Sequence, residues 1–231
     1  MPIVATNPTN FPRRINMYVP AMQYASDVNM YSNTRTSFGA PSAPVVNNIL
    51  NAVAATAVAN YDVTAVANAQ TIFEPFGRGI QLVSNVANTS QITVRGADYL
   101  GQPMVEIIAL AGATAVETKK MFKYVDSIFV NAGVATATLS AGWGPTLGLP
   151  YKALRVPIEI ANGLVVGTPG TFTPPQLSDP NPTTAIGDVR GSYKPTTALN
   201  GANIISIVAD YVNDINSNNN GGLHGIRQIF A

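Results

Sequence analysis

Three carboxylates are the residues best placed to do chemistry. Asp98 and Glu106 lie within QITVRGADYLGQPMVEIIAL (residues 91–110), and Asp188 lies within GDVRGSY (residues 187–193). A pair of carboxylates that flank a glycosidic bond can hydrolyse it, and spacing in sequence does not fix spacing in space. These residues therefore define a glycan-cleaving hypothesis, against the alternative that they serve turns and ion pairs.

The other groups that catalysis would need are scarce. The chain has one histidine, His224, and no cysteine, which excludes histidine clusters and thiolate sites for metals. No serine lies in a G-x-S-x-G elbow, and a single Trp leaves few aromatic platforms for a sugar. The sequence therefore predicts no catalytic residue, no metal site and no cofactor. We expect His224 to lie in a turn, and Asp188 and Arg190 to form a local structural ion pair.

Composition indicates a surface that is not covered by charge. Charged residues make up 11% of the chain and hydrophobic residues 46%, whereas soluble domains usually carry about 25% charged residues. Asn, Thr, Ser and Ala take the place of charge, and such a surface is poorly defended against association. We interpret the chain as one that lies against partners, the alternative being a monomer with an uncharged polar coat. The net charge of +1 argues against a nucleic-acid partner.

A membrane partner is also not expected. The most apolar run, residues 49–69, is interrupted by Asn51, Asn60, Asp62 and Asn68, so it does not have the pattern of a spanning helix. The N-terminus has no basic region followed by an apolar one, as a signal peptide would.

The elements that must position these residues begin with an irregular segment. Residues 1–44 contain recurring prolines, which disfavour long helices and central strands. The segment nevertheless carries aromatic residues, which docking arms use. We predict an extended arm whose contacts with a neighbouring subunit are made by Phe11, Tyr18, Tyr24 and Tyr31. The alternative is that the segment wraps on its own domain.

Residues 45–70 allow two interpretations. Apolar residues at helical spacing favour a short helix, whereas the many Val and Thr residues favour strands. We favour a short helix followed by a strand. The predicted organisation is an arm with a possible short helix over residues 1–60, then a β-rich domain over residues 61–231. A long turn-rich loop is expected at residues 174–202.

After Phe73 the pattern favours strands. The predicted strands cover residues 79–85, 91–98, 104–110, 153–163, 164–173 and 203–212, and two arms of residues 126–143. Short strands separated by Gly, Pro and Asn predict a mainly β fold. We expect a sandwich or barrel of short antiparallel strands, with at most one or two short helices.

Three β-hairpins are predicted from the turn residues. The first joins residues 79–85 to 91–98, and another turns at residues 131–133. Between them, residues 91–98 are expected to pair with 104–110, with Asp98 and Gly101 in the turn. In this hairpin we expect Glu106 on a solvent or partner face, opposite Arg95.

Four stretches in fixed order resemble a family of tailed-bacteriophage virion proteins. They are QITVRGADYLGQPMVEII, KKMFKYVDSIFV, GWGPTLGLPY and GDVRGSYKPTTALNG, within residues 80–202. In that family a tGtDxxGxpxxE hairpin precedes a KxFKxVxSIxV strand, a GLP turn and a DVRGxYxP motif. Its members look like head decoration or cement proteins of the outer capsid surface.

The resemblance implies a non-enzymatic, β-rich virion protein. It would be a homotrimer that binds the major capsid protein where capsomers meet, on the capsid surface, after synthesis in the bacterial cytoplasm. A tail or neck component and a small major capsid protein are alternatives of the same class. The alternative of another class is a glycan-binding or glycan-cleaving virion module.

Overall fold

The computed structural model describes residues 31–177, 182, 187–212 and 223–228. The fold is mainly β, with antiparallel strand pairs and one four-residue helix among the described residues, so the predicted fold class is confirmed. The helix, α1, covers Ala67–Gln70. The strands are β1 Tyr31–Gly39, β2 Val45–Ala54, β3 Ala59–Asp62, β4 Arg78–Ser84, β5 Gln91–Ala97, β6 Pro103–Ala109, β7 Val116–Glu117, β8 Tyr124–Val130, β9 Thr138–Gly148, β10 Ala153–Ala161, β11 Leu164–Val165, β12 Thr171–Thr173, β13 Ser192–Lys194 and β14 Ile205–Val212.

The described strands form three sheets. The first has the order β1-β14-β10-β11 and the third the order β3-β8-β5-β6. The second has the order β12-β13-β9-β4-β7, and β2 also pairs with β9. The long strand β9 contributes to both hydrophobic clusters, because Leu139 and Ala141 lie in one and Leu147 in the other. The first cluster fills the space between the second and third sheets, and the other lies against the first sheet.

Alternation along β5 shows why these residues form strands. Ile92 and Val94 are fully buried and Arg95 is exposed, as a strand with one face on the core requires. The sequence predicts Thr93 on the same face as Arg95, but Thr93 is also buried, so burial alternates in only part of this strand. The hairpin of β5 with β6 is confirmed, with Gln91 opposite Ala109 and Ala97 opposite Pro103.

The predicted order of a short helix followed by a strand over residues 45–70 is wrong, because the segment begins with strand β2 and the helix α1 comes last. The register of β2 with β9 shifts between Val45 and Leu50 and again between Leu50 and Val53. Such bulges interrupt the two-residue alternation, so the apolar residues recur at intervals that imitate a helix. Ala52 has φ of 48°, a left-handed conformation that a right-handed helix excludes.

Two of the three expected hairpins are also wrong. Strand β4 pairs with β9 and β7 and not with β5, and β8 pairs with β5 and β3 and not with β9. Each chain reversal carries the chain from one sheet to another. A turn motif indicates that the chain reverses, but it does not indicate which sheet the next strand joins.

The predicted arm is described only from residue 31 onwards. Its last part forms β1, whose backbone pairs Tyr31 with Val212 of β14. Phe11, Tyr18 and Tyr24 lie outside the described residues, and so does the side chain of Tyr31. Their role as partner contacts remains a prediction. Within the described ranges, no helix has the length and apolar character needed to cross a membrane.

Candidate functional site

The turn between β5 and β6 is built around Asp98. Its Oδ1 accepts hydrogen bonds from the backbone N–H groups of Leu100 and Gln102, at 2.9 and 2.8 Å. Gly101 in this turn has φ of 77°, a conformation that glycine adopts without steric cost. Asp98 is fully buried, so its carboxylate holds the turn from inside. The expectation that Asp98 and Gly101 serve the turn is confirmed.

The second oxygen of Asp98 binds Arg190. Arg190 Nη2 donates to Asp98 Oδ2 at 2.8 Å, and Asp188 Oδ1 lies 3.8 Å from Arg190 Nε. The guanidinium lies over the ring of Tyr99, 4.7 Å from its centroid. The local ion pair of Asp188 with Arg190 is confirmed, and Asp98 is a further partner that the sequence did not indicate.

One backbone segment joins Asp188 to Glu106. The N–H of Met121 donates to Asp188 Oδ2 at 3.1 Å. The N–H of Lys119 donates to both carboxylate oxygens of Glu106, at 2.9 and 3.0 Å, and that of Lys120 donates to Oε2 at 2.8 Å. The two carboxylates therefore hold the same segment, between β7 and β8, at successive residues.

Lys120 and Gln228 complete this group. Lys120 Nζ donates to the carbonyl oxygens of Val105 and Gln228, at 2.9 and 3.1 Å. Gln228 Nε2 donates to Asp188 Oδ2 at 3.1 Å. We call these six residues, each no more than 3% exposed, the polar cluster: Asp98, Glu106, Lys120, Asp188, Arg190 and Gln228.

Burial sets the direction of the pKa shifts of Glu106 and of the neighbouring Tyr99, whereas carboxylate charge sets that of Arg190. Burial raises the pKa of Glu106 to about 7, against the opposing effect of the N–H donors of Lys119 and Lys120. Burial also raises the pKa of Tyr99 to about 12, although the charge of Arg190 opposes it. For Arg190 burial alone would lower the pKa, but the charges of Asp188 and Asp98 hold it above its ordinary value.

The expected position of Glu106 is wrong. Its residue lies opposite Val94, not Arg95, and its side chain is 3% exposed and does not lie on a solvent or partner face. The position follows from the two N–H donors of the neighbouring segment, Lys119 and Lys120, which make three hydrogen bonds with the carboxylate and stabilise it more than a cross-strand pair with one arginine would. Donors from a backbone segment 13 residues away leave no mark in the local sequence pattern.

The bonds of the three carboxylates are structural. Asp98, Glu106 and Asp188 accept hydrogen bonds from backbone N–H groups or from buried side chains. A cleft of about 260 Å³ lies beside the cluster, lined by Gln102, Pro103, Arg227 and Gln228. None of these lining residues is a carboxylate. The geometry therefore suits the three acids to holding turns together and does not present them to a substrate.

His224 lies in a short turn, as expected. Its side chain is exposed, and its ring centroid is 5.5 Å from that of Tyr151. In the part of the chain that the structure describes, it forms no ion pair, and no three His, Asp or Glu side chains are grouped to hold a metal ion.

Three further buried carboxylates, Glu74, Glu159 and Asp210, were missed by sequence reasoning. Glu74 binds Arg78 Nη1 at 2.8 Å, with both side chains buried. Glu159 accepts from the N–H groups of Gly170, Thr196 and Thr197 and from the hydroxyl of Tyr193, at 2.7 to 3.0 Å. Ten charged side chains are buried in total among the described residues: Glu74, Arg78, Asp98, Glu106, Lys120, Lys152, Glu159, Asp188, Arg190 and Asp210. Because the chain has 25 charged residues and buries at least ten of them, its surface carries fewer charges than the sequence alone indicates.

Three of the four stretches singled out in the sequence contribute residues to the polar cluster. Asp98 belongs to the first stretch, Lys120 to the second, and Asp188 and Arg190 to the fourth. The third is attached through Pro150, whose carbonyl oxygen accepts from the hydroxyl of Tyr99. Residues that are 92 positions apart, Asp98 and Arg190, and 108 positions apart, Lys120 and Gln228, are therefore bonded within one buried unit.

Comparison with known proteins gives no relative on which to rest a function. No protein-family model, no curated protein and no solved structure matches this chain.

Proposed function

We propose that this chain is a structural virion protein, a decoration or cement protein of a tailed-bacteriophage head. In this role it binds the major capsid protein on the outer surface, where capsomers meet, as a homotrimer. The observation that supports the proposal is that three of the four family-like stretches contribute residues to one buried cluster, and the remaining one is bonded to Tyr99 beside it. The residues that carry the resemblance therefore act together as scaffold residues.

The state of the acidic residues supports a role without catalysis. The three carboxylates of the glycan-cleaving hypothesis are buried and bound to N–H donors or to Arg190. The single Trp, Trp143, is 8% exposed and donates its indole N–H to the carbonyl oxygen of Asn68, so it supplies no open platform for a sugar ring.

The surface supports permanent association. Burial of ten charged side chains, in a chain with 13 Lys and Arg and 12 Asp and Glu, leaves few charges to keep copies and partners apart. A protein that binds only the assembled shell stabilises that state by mass action, and many identical contacts add to one another.

Head binding tests the proposal directly. Purified protein is added to expanded heads of the phage that encodes it, produced without this chain, and the bound copies are counted by co-sedimentation and electron cryomicroscopy. We expect saturation at hundreds of copies on the outer surface and heads that resist heating better. A handful of copies at one vertex would assign the chain to the neck or tail.

The glycan hypothesis has its own experiment. The intact protein is incubated with host surface polysaccharide, and release of reducing ends is measured. We expect no release above buffer. Cleavage that is lost in Glu106→Gln would overturn the proposal.

A further inference from the structure

The first sheet packs on the hydrophobic core with only one of its faces. Ile205, Ile207 and Ala209 of β14 belong to the hydrophobic cluster that lies against this sheet. Because successive side chains of a strand point to opposite faces, Val208 lies on the other face. Val208 is partly exposed and belongs to neither hydrophobic cluster of the described residues. The second face of this sheet is therefore not part of the core.

Aliphatic side chains continue across this second face. Ile158 of β10 lies opposite Val208, and Ile160 of β10 lies opposite Val165 of β11. Residues that lie opposite each other in a ladder share one face of the sheet. Ile204 lies directly before β14, where a backbone hydrogen bond to the β10–β11 turn continues the ladder. We call this set of residues the aliphatic face: Ile158, Ile160, Val165, Ile204 and Val208.

The aliphatic face is accessible to solvent. Val165 is 69% exposed and Ile204 is 52% exposed, and the other three side chains are partly exposed. Exposed apolar residues that lie next to one another mark interaction sites, whereas single ones are ordinary on a protein surface. All of these side chains are β-branched and lie on one sheet, so they form an apolar surface that another protein surface can cover.

The accessible charges beside the aliphatic face are positive. Arg155 binds Asp210, but the Arg155 side chain is 71% exposed and that of Asp210 only 9%. Arg35 of β1 lies opposite Val208, is exposed, and forms no ion pair within the described ranges. Its Nη2 donates to the Ser206 hydroxyl at 3.3 Å. The described part of this face therefore presents two arginines and no accessible carboxylate.

Charge decides between the candidate partners. A second copy of the same face has no accessible carboxylate to offer, so self-association would bring arginines together without counter-ions. A phosphate-bearing partner needs clustered Lys and Arg, whereas here two arginines border an apolar surface. A protein surface with apolar residues at its centre and carboxylates at its border complements both features.

We propose that the aliphatic face docks on the surface of another protein, on an apolar area bordered by Asp or Glu. Arg35 and Arg155 lie beside those carboxylates in the complex. This inference rests on the proposed function for the identity of the other protein, which is then the major capsid protein. It assigns the first sheet to the side of the chain that meets the shell.

A photoreactive side chain tests which protein covers the aliphatic face. Val165 is replaced by p-benzoylphenylalanine in the full-length chain, virions of the phage that encodes it are assembled and irradiated, and the joined peptides are identified by mass spectrometry. We expect a link to the major capsid protein, in a peptide that contains Asp or Glu. The matched control is the same replacement at Val58, which is 60% exposed directly before β3 in another sheet and should give no such link.

Three other outcomes would overturn the inference. A link to another copy of this chain would mean that the face serves self-association. A link within the same chain would mean that the protein's own residues cover the face. The absence of any link from position 165 would mean that no protein docks there.

Substitution measures how much the aliphatic face contributes to binding. Val165→Asp places a carboxylate among apolar contacts and near the acidic border of the partner, so affinity for expanded heads should fall about 100-fold. Val58→Asp is the matched control and should bind as the wild type does. Both variants should keep the wild-type melting temperature, because both positions are exposed. A lower melting temperature for Val165→Asp alone would show that the face is covered within the protein, which would overturn the inference.

The acidic border of the partner has its own measurement. Arg35→Glu should weaken head binding about tenfold and make it less sensitive to salt, because an attraction between opposite charges is replaced by a repulsion. Arg95→Glu is the control for net charge, since Arg95 is exposed on β5 in another sheet. Equal affinities of the two variants would reject a partner with carboxylates beside Arg35.

The two proposals fail separately in these experiments. If the wild type binds heads and Val165→Asp binds them equally well, the docking role of the aliphatic face is overturned alone. If position 165 is linked to an acidic surface of a neck or tail protein and the wild type does not bind heads, the cement function is overturned alone.

Discussion

Arg190 and Asp98 form a buried ion pair between residues 92 positions apart, with Nη2 and Oδ2 separated by 2.8 Å. The pair connects the β5–β6 turn to the turn that precedes β13. Because both side chains are at most 1% exposed, water cannot replace either partner when the other is removed.

Loss of Arg190 should therefore be costly. We expect Arg190→Met to lower the free energy of unfolding by about 3–5 kcal/mol, since it leaves Asp98 and Asp188 buried without their cation. Arg95→Met is the matched control, because Arg95 is exposed on β5 and forms no ion pair within the described residues, and its loss should cost less than about 1 kcal/mol. Urea unfolding measures both, and equal costs would contradict the role given to burial.

Glu106 should make stability depend on pH between about 4.5 and 7. Burial raises its folded pKa to about 7, so over this range the folded state holds a proton that the unfolded state has released. Stability should fall as pH rises through this window, by about 3 kcal/mol in total, and level off above it. In Glu106→Gln this contribution should disappear. The measurement is the difference between the two unfolding free energies from pH 4 to 8, and parallel curves would refute it.

Glu159 should act in the opposite direction. Burial alone would raise its pKa, but hydrogen bonds led by those from Thr197 and Tyr193 outweigh it and leave the pKa below the ordinary value. Its stabilising effect is therefore present above the unfolded pKa and is lost as pH falls through the folded pKa.

Glu159→Gln should cost about 2–4 kcal/mol at neutral pH, because the charged acceptor of four hydrogen bonds is lost. Amide exchange by NMR should show faster exchange at Gly170, Thr196 and Thr197, while β5 keeps its protection. Uniform acceleration across the chain would argue against a local role.

Gly96 should not tolerate a side chain. A Cβ at this position would lie 1.9 Å from the carbonyl oxygen of Tyr124, in the backbone of the paired strand β8. Gly96→Ala should lower the unfolding free energy by about 3 kcal/mol. Gly167→Ala, whose Cβ would meet no atom within 4 Å, should change it by less than about 1 kcal/mol. Thermal melts compare the pair, and similar melting temperatures would disprove the close approach.

Predictions from local sequence patterns were correct where the structure depends on residues that are close in sequence. The alternation at Ile92 and Val94 and the turn at Asp98 were predicted because each depends on neighbours in sequence. The helical spacing at the start of residues 45–70 was misleading, since the bulges of β2 are set by its pairing with β9. Glu159 was missed because its hydrogen-bond donors come from other segments. Glu74 was missed because the sequence does not distinguish its partner, Arg78, from an exposed arginine.

The sequence by itself determined a mainly β chain with few charges, no cysteine and a proline-rich beginning, because composition and alternation act over a few residues. Only the tertiary structure decided which strands pair and which charges are buried. Each strand pairs where the apolar face of its sheet can be buried. A buried carboxylate is stable only where hydrogen-bond donors from distant segments reach it. Asp98 illustrates both points, since the sequence predicted its turn but not its ion pair with Arg190.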